Sequence, residues 1–236
     1  MKHITHVTRL HLNKPEIMFR TPAFIIALVL IITMIISFAL QRAGLDPASP
    51  AYADGARSNI AVAYALPGFL VYYGVQAVST TFPFALALGT TRRAYVLGTA
   101  LANLILSVFV AAMLTVLLWI ELATDHWFFG SYALDNYALG SGDAWVLAVT
   151  VFLGTFVAVT IGGFFGAIWV RFGTKGPTIA GVVLGLIIVL ILLAIAPNFI
   201  EIVTSITRGD LAVGAIVVAL LALVGTWVTM RRAAVR

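Results

Sequence analysis

The run IAGVVLGLIIVLILLAIA, from Ile179 to Ala196, holds no charged, amide, hydroxyl or histidine side chain. A helix rises about 1.5 Å per residue, so about 20 apolar residues cross a hydrocarbon core of about 30 Å. A run this uniform has no polar face to turn toward water, which makes it a membrane span rather than the amphipathic helix of a soluble protein. Five further stretches read the same way: Ala23 to Leu40, Ile60 to Val78, Tyr95 to Ile120, Ala144 to Val170 and Leu211 to Thr229. None of the six contains Asp, Glu, Lys, Arg or His, although the chain carries 14 Lys and Arg, 9 Asp and Glu and 4 His.

Composition agrees with the spans. The 236 residues are 62% hydrophobic and 10% charged, with a mean hydropathy of +1.08, against about 25% charged in soluble domains. The expected fold is all-α and polytopic: an interfacial helix over 1–22, six membrane helices over 23–232 and a tail at 233–236. Little chain is left for a soluble domain. With no cysteine, disulfides, thiolate metal ligands and cysteine nucleophiles are excluded together.

The net charge of +5 belongs to topology rather than to nucleic acid. Lys2, Arg9, Lys14 and Arg20 precede the first span, Arg92 and Arg93 follow the second, Arg171 and Lys175 follow the fourth, and Arg231, Arg232 and Arg236 follow the last. The alternate connections hold only Arg42, Arg57 and Arg208, together with eight of the nine acidic residues. The positive-inside bias therefore puts both termini and the second and fourth connections in the cytoplasm. Ala51-Tyr52-Ala53 imitates a signal-peptidase site, but the preceding apolar run is longer than a usual signal core, so the first span is expected to remain as an anchor.

Before that span, Lys2, His6, Arg9, Asn13, Glu16 and Arg20 recur at intervals of four and three, a single helical stripe, with Ile4, Val7, Leu10, Ile17 and Met18 on other faces. The pattern predicts a basic amphipathic helix in the headgroup layer, interrupted at Pro15 or restarted there. His3, His6 and His11 belong to its solvated face rather than to a metal site, since no carboxylate or thiol converges on them.

The second span is interrupted by Pro67-Gly68 and carries Tyr72, Tyr73 and Gln76. Non-helical backbone survives in lipid only where protein or a wet cavity satisfies it. These five residues are therefore candidates for a pathway lining, the other reading being a kink packed on a neighbour. Gly162-Gly163-Phe164-Phe165-Gly166 and Gly181 with Gly185 both have the GxxxG spacing of close helix pairs, within the molecule or between copies. The connection from Glu121 to Asp143 is acidic and aromatic and is expected as an interfacial cap. Pro197 to Asp210 is apolar enough to dip back into the membrane.

Several chemistries lack their residues. Gly140-Ser141-Gly142 resembles part of a serine-nucleophile motif, but Ser141 and the nearest histidine, His126, share the acidic connection and no base faces a buried serine. No HExxH or GxxxxGK[ST] spacing occurs. Without a titratable group inside the spans, proton coupling has no carrier. Sodium coupling at the Pro67-Gly68 break stays open.

The stretch STTFPFALALGTTRRAYVLGT, Ser79 to Thr99, resembles the signature of ABC-2 type ABC-transporter permeases, in which a short apolar helix, a turn, a basic or polar pair, an aromatic and Leu-Gly lead into the third span. Phe19 to Pro22 matches the family's Phe-Arg-x-Pro pattern, and Phe82-Pro83-Phe84 stands where many members carry a charge. The resemblance implies a coupling helix near 80–92 that docks on an ATPase subunit through Phe82, Phe84, Leu86, Leu88, Thr91, Arg92 and Arg93. Arg92 and Arg93 either anchor that contact or serve only as topology signals. It also implies a homodimer or heterodimer of permeases meeting at spans one, two and five, and export of a lipid, drug or hydrophobic peptide. ATP and Mg are held by the partner, and no cofactor by this chain. The implied setting is the plasma membrane of a bacterial cell, with membrane lipid as a further partner. A self-contained carrier or scramblase is the alternative, and a membrane interaction or immunity-type protein the third reading.

Overall fold

The computed structural model describes residues 2–231 and 233, the Lys2 side chain excepted. Met1, Arg232 and, apart from Ala233, the expected tail at 233–236 lie outside the described residues. The described chain is all-α, with six helical segments long and apolar enough to cross a membrane. It is a multi-pass membrane protein.

The chain begins with α1 (Lys2–Leu12), then a wide helical turn at Glu16–Arg20 that runs without a break into α2 (Thr21–Arg42). Next come α3 (Pro50–Arg57), α4 (Ala61–Ala65), α5 (Pro67–Ala87) and α6 (Arg92–Ala123). The last four are α7 (Ala144–Phe172), α8 (Lys175–Ile195), α9 (Phe199–Ser205) and α10 (Arg208–Arg231). The starts follow capping chemistry: Ser49, Thr91 and Asp143 each accept a backbone N–H from the first turn of α3, α6 and α7, satisfying amides that the helix leaves unpaired.

Helix α7 is the hub, packing on α5, α6 and α10. Its contact with α5 is backbone against backbone. A Cβ at Gly162 would strike the Val71 carbonyl, and one at Gly166 would lie 2.7 Å from the Val75 carbonyl. Only glycine permits that approach, and dispersion across it replaces the hydrophobic drive that lipid does not supply. The other glycine pair has no such use within the chain, since Gly181 and Gly185 meet nothing within 4 Å and α8 has no buried residue.

Four differences from the sequence reading have local causes. The second span does not end at Val78, because α5 continues through Pro83 to Ala87. The connection before it contains α3, started by the Ser49 cap and Pro50. Helix α6 reaches Ala123, so Glu121 lies in its last turn rather than in a loop. Pro197 to Asp210 is mostly helical, through a short turn at Ala196–Asn198 and α9.

Helix α1 lies against the first half of α6. Val7, Thr8 and His11 are buried there, while His6, Arg9 and Asn13 are exposed. His11 thus does not share the solvated face expected for it, because its position on the helix turns it toward α6. Gly98 admits the contact, since a Cβ on it would lie 2.6 Å from Val7 Cβ. The Thr8 hydroxyl donates to the Gly98 carbonyl (3.1 Å) and a His11 ring nitrogen meets Thr99 Oγ1 (3.0 Å). Burial, and then the charge of Lys14, push the His11 imidazole from 6.5 down to about 4.

Candidate functional site

At the end of the molecule where the N-terminal helix and the end of α10 gather, the α5–α6 hairpin forms a compact corner. Gly89 closes α5 with φ of 77°, a left-handed value that glycine adopts without a Cβ penalty. Its N–H donates to the Leu86 carbonyl (2.9 Å) and the Thr90 N–H to that of Ala85 (3.0 Å), the paired bonds that end a helix tightly. Thr91 then caps α6. Residues 80–87 are thus the end of a long helix, with a short turn after it; the separate short helix expected near 80–92 is absent because α5 is uninterrupted.

The seven expected docking residues divide by environment. Phe82 is fully buried, edge-on to Tyr95 at 5.0 Å, and Tyr95 also meets Thr81 Oγ1 at 2.6 Å. Leu86 is half-buried on the same cluster. Arg92 donates to the carbonyls of Met230, Arg231 and Ala233 at 2.5 to 2.8 Å, so it ties the corner to the end of α10. Phe84, Leu88, Thr91 and Arg93 face outward, Phe84 and Leu88 with 53% and 67% of their surface exposed.

The five pathway candidates also separate. Helix α4 ends at Leu66 and Pro67 starts α5, a position that suits proline because its missing N–H would be unpaired anyway. Pro67 lines a cavity of about 190 Å³ with Leu114, Leu139 and Thr155. Gly68 is exposed and Tyr73 buried in the core. Tyr72 and Gln76 are exposed on the outer face of α5, where the Gln76 amide donates to the Tyr72 hydroxyl (3.1 Å). The structure does not gather the five around one channel.

The opposite end holds a polar constellation that the sequence reading missed. Glu121 is fully buried and accepts from Trp127 Nε1 (2.9 Å) and the backbone N–H groups of Leu134 (2.9 Å) and Asp135 (3.0 Å). Asp135, also buried, takes the Arg57 guanidinium at 2.9 Å and a His126 ring nitrogen at 3.1 Å. The His126 ring stacks on Tyr132 at 3.9 Å. The Tyr137 hydroxyl bonds the Asp54 carboxylate, which raises the tyrosine pKa. Burial raises that of Tyr132 as well, against the Arg57 charge.

These bonds hold a backbone wound the unfavourable way. Asp125, His126, Trp127 and Phe128 all have positive φ, from 49° to 64°, which costs about 1–2 kcal/mol per residue with a side chain. His126 is thus committed to Asp135, and Ser141 sits in the same connection with φ of 53°. Among the described residues no group of three or more metal-ligating side chains occurs. The only early sign of this constellation was the loop's surplus of acids and aromatics, because partners 78 residues apart, such as Arg57 and Asp135, leave no local spacing to read.

A second polar set lies between the spans. Tyr95, Thr99, Asn103 and Ser107 follow one another at four-residue spacing on α6, all buried. That spacing was visible in the sequence. Thr160 of α7 and Thr226 of α10 approach the same row.

No family model, curated protein or solved structure matches the chain. What the helices themselves establish is an all-α membrane protein of six spans.

Proposed function

We propose that this chain is the permease subunit of an ABC-2 type exporter, driven by separate ATPase subunits that hold ATP and Mg, and moving an amphipathic or hydrophobic substrate out of the cytoplasm. The observation that carries this is the α5–α6 corner. Phe84, Leu88 and Arg93 project from a rigid, doubly capped turn, and exposed apolar groups beside a cation suit a groove on a partner protein. Arg92 drops out of the docking set, since it is spent on the α10 carbonyls. The basic residues gathered on that side support a cytoplasmic setting for the corner under the positive-inside bias.

In this reading a second permease copy meets the outer faces of α2 and α8, both rich in exposed apolar side chains, and of α5, which exposes Tyr72 and Phe84. ATPase closure is transmitted through α5, whose glycine contact with α7 leaves little slack. The test is a gentle-detergent pull-down from the native host with mass spectrometry, comparing the natural chain with Phe84→Asp, Leu88→Asp and with Arg93→Glu. Recovery of an ABC ATPase with the natural chain and its loss with Phe84→Asp, Leu88→Asp supports the reading. If no ATPase appears under conditions that preserve other ABC complexes, the reading falls. A self-contained carrier or scramblase is favoured only by the Pro67 break and its cavity, and transport in ATP-free liposomes would establish it.

A further inference from the structure

At the end far from the termini, a cavity of about 290 Å³ lies between the last turns of α2, helix α3 and the 124–143 connection. Its walls differ in chemistry. Ile36, Leu40 and Leu45 form one side and are largely exposed, as residues facing lipid are. Ser37, Tyr52 and Ser131 contribute to the other and are only 8%, 7% and 1% exposed. The Tyr52 hydroxyl is buried with no hydrogen-bond partner among the described residues. Buried polar groups are nearly always paired, so this hydroxyl needs an explanation beyond packing, and Ser37 and Ser131 line the same space. Asn59 adds a fourth polar group, its Oδ1 used by the Ala61 N–H at 2.9 Å and its amide hydrogens left for a ligand.

We propose that this cavity binds the uncharged polar end of a membrane amphiphile, a glycerol-ester or hydroxyl head, whose acyl chain runs down α2 past Ile36 and Ile32. No charged side chain lines the space. The nearby Arg57 guanidinium is held by Asp135 and lies over the Tyr132 ring at 5.2 Å, while Arg42, two residues beyond Leu40, lies over the Phe38 ring at 5.3 Å; neither lines the space. The volume is at the low end for ligand pockets, which suits a head region rather than a whole lipid. A glycerol hydroxyl can donate or accept and an ester carbonyl can accept, which are the partners the Tyr52, Ser37 and Ser131 hydroxyls can use, and the exposed α2 face continues as apolar surface through Ile32. The site requires no motor, so it stands or falls apart from the ATPase-driven reading.

The experiment uses the purified full-length chain in lipid nanodiscs without ATP. The probe is a monoacylglycerol with a photoactivatable group in its acyl chain, compared with the same chain carrying a phosphate or a trimethylammonium head. Expected is labelling concentrated on 33–45, 51–59 and 131–132 by the neutral probe alone. Gly55→Leu fills the space from α3, where a Cβ meets nothing within 4 Å, and should cut that labelling at least about tenfold while the melting temperature holds. Ser131→Ala should lower it about threefold to tenfold, the loss of one hydrogen bond. Three results overturn the proposal: labelling spread evenly over all lipid-facing helices, labelling equal for the charged heads, or labelling unchanged in Gly55→Leu.

Discussion

Three carbonyls at the end of α10 converge on the Arg92 guanidinium, where a positive charge also opposes the negative end of the helix dipole. Arg92→Gln should therefore weaken the end of α10 by about 1–2 kcal/mol, seen as faster amide hydrogen exchange at 226–231. Arg93→Gln, one residue along and exposed, should change that exchange little. His11 gives a pH dependence with a fixed sign. Its imidazole is held near 4 when buried against α6 and returns to 6.5 when released, so the released form binds protons first. Docking of α1 is then at full strength above about pH 6.5 and weakens toward about pH 4, by up to about 1.4 kcal/mol per pH unit. A cysteine pair joining α1 to α6 should crosslink less as the pH falls through that window, and His11→Gln should flatten the trend.

Among the elements, the two glycine pairs make a controlled comparison. Gly162→Ala forces α5 and α7 apart and should cost about 1–3 kcal/mol. Gly185→Ala meets open space and should be neutral or gain up to about 1 kcal/mol from helix propensity. Thermal unfolding in detergent reads both. The same pairs show how far the sequence could be read. Spacing puts two glycines on one face but does not say what faces them, so Gly162 with Gly166 and Gly181 with Gly185 looked alike. The six spans were legible because apolar length is a local property. The continuation of α5 through Pro83 was not, since its end depends on the capping bonds at Gly89 and Thr90. Of the site, the exposed Phe84, Leu88 and Arg93 could be anticipated, whereas the burial of Phe82 against Tyr95 and the capture of Arg92 by α10 are long-range events.

For the molecule as a whole, burial is uneven: α7 is packed on three helices while α8 and α9 bury nothing. Lipid can cover α8, since tails are as apolar as its side chains, and a second copy can do so through the same small-residue stripe. Cysteines can be placed at will, because the chain has none of its own. Under the dimeric reading, Gly185→Cys should crosslink between copies in native membranes and Gly162→Cys should not. Failure of crosslinking along α8 would leave that helix to lipid and move the dimer face elsewhere. The left-handed stretch from Asp125 to Phe128 has a mechanical meaning at this scale. It is a spring wound against its resting twist, and Glu121 and Asp135 are its latches. Glu121→Gln should release one latch, and limited proteolysis between Asp125 and Gly130 would then rise sharply, as a catch slipping lets a coil unwind.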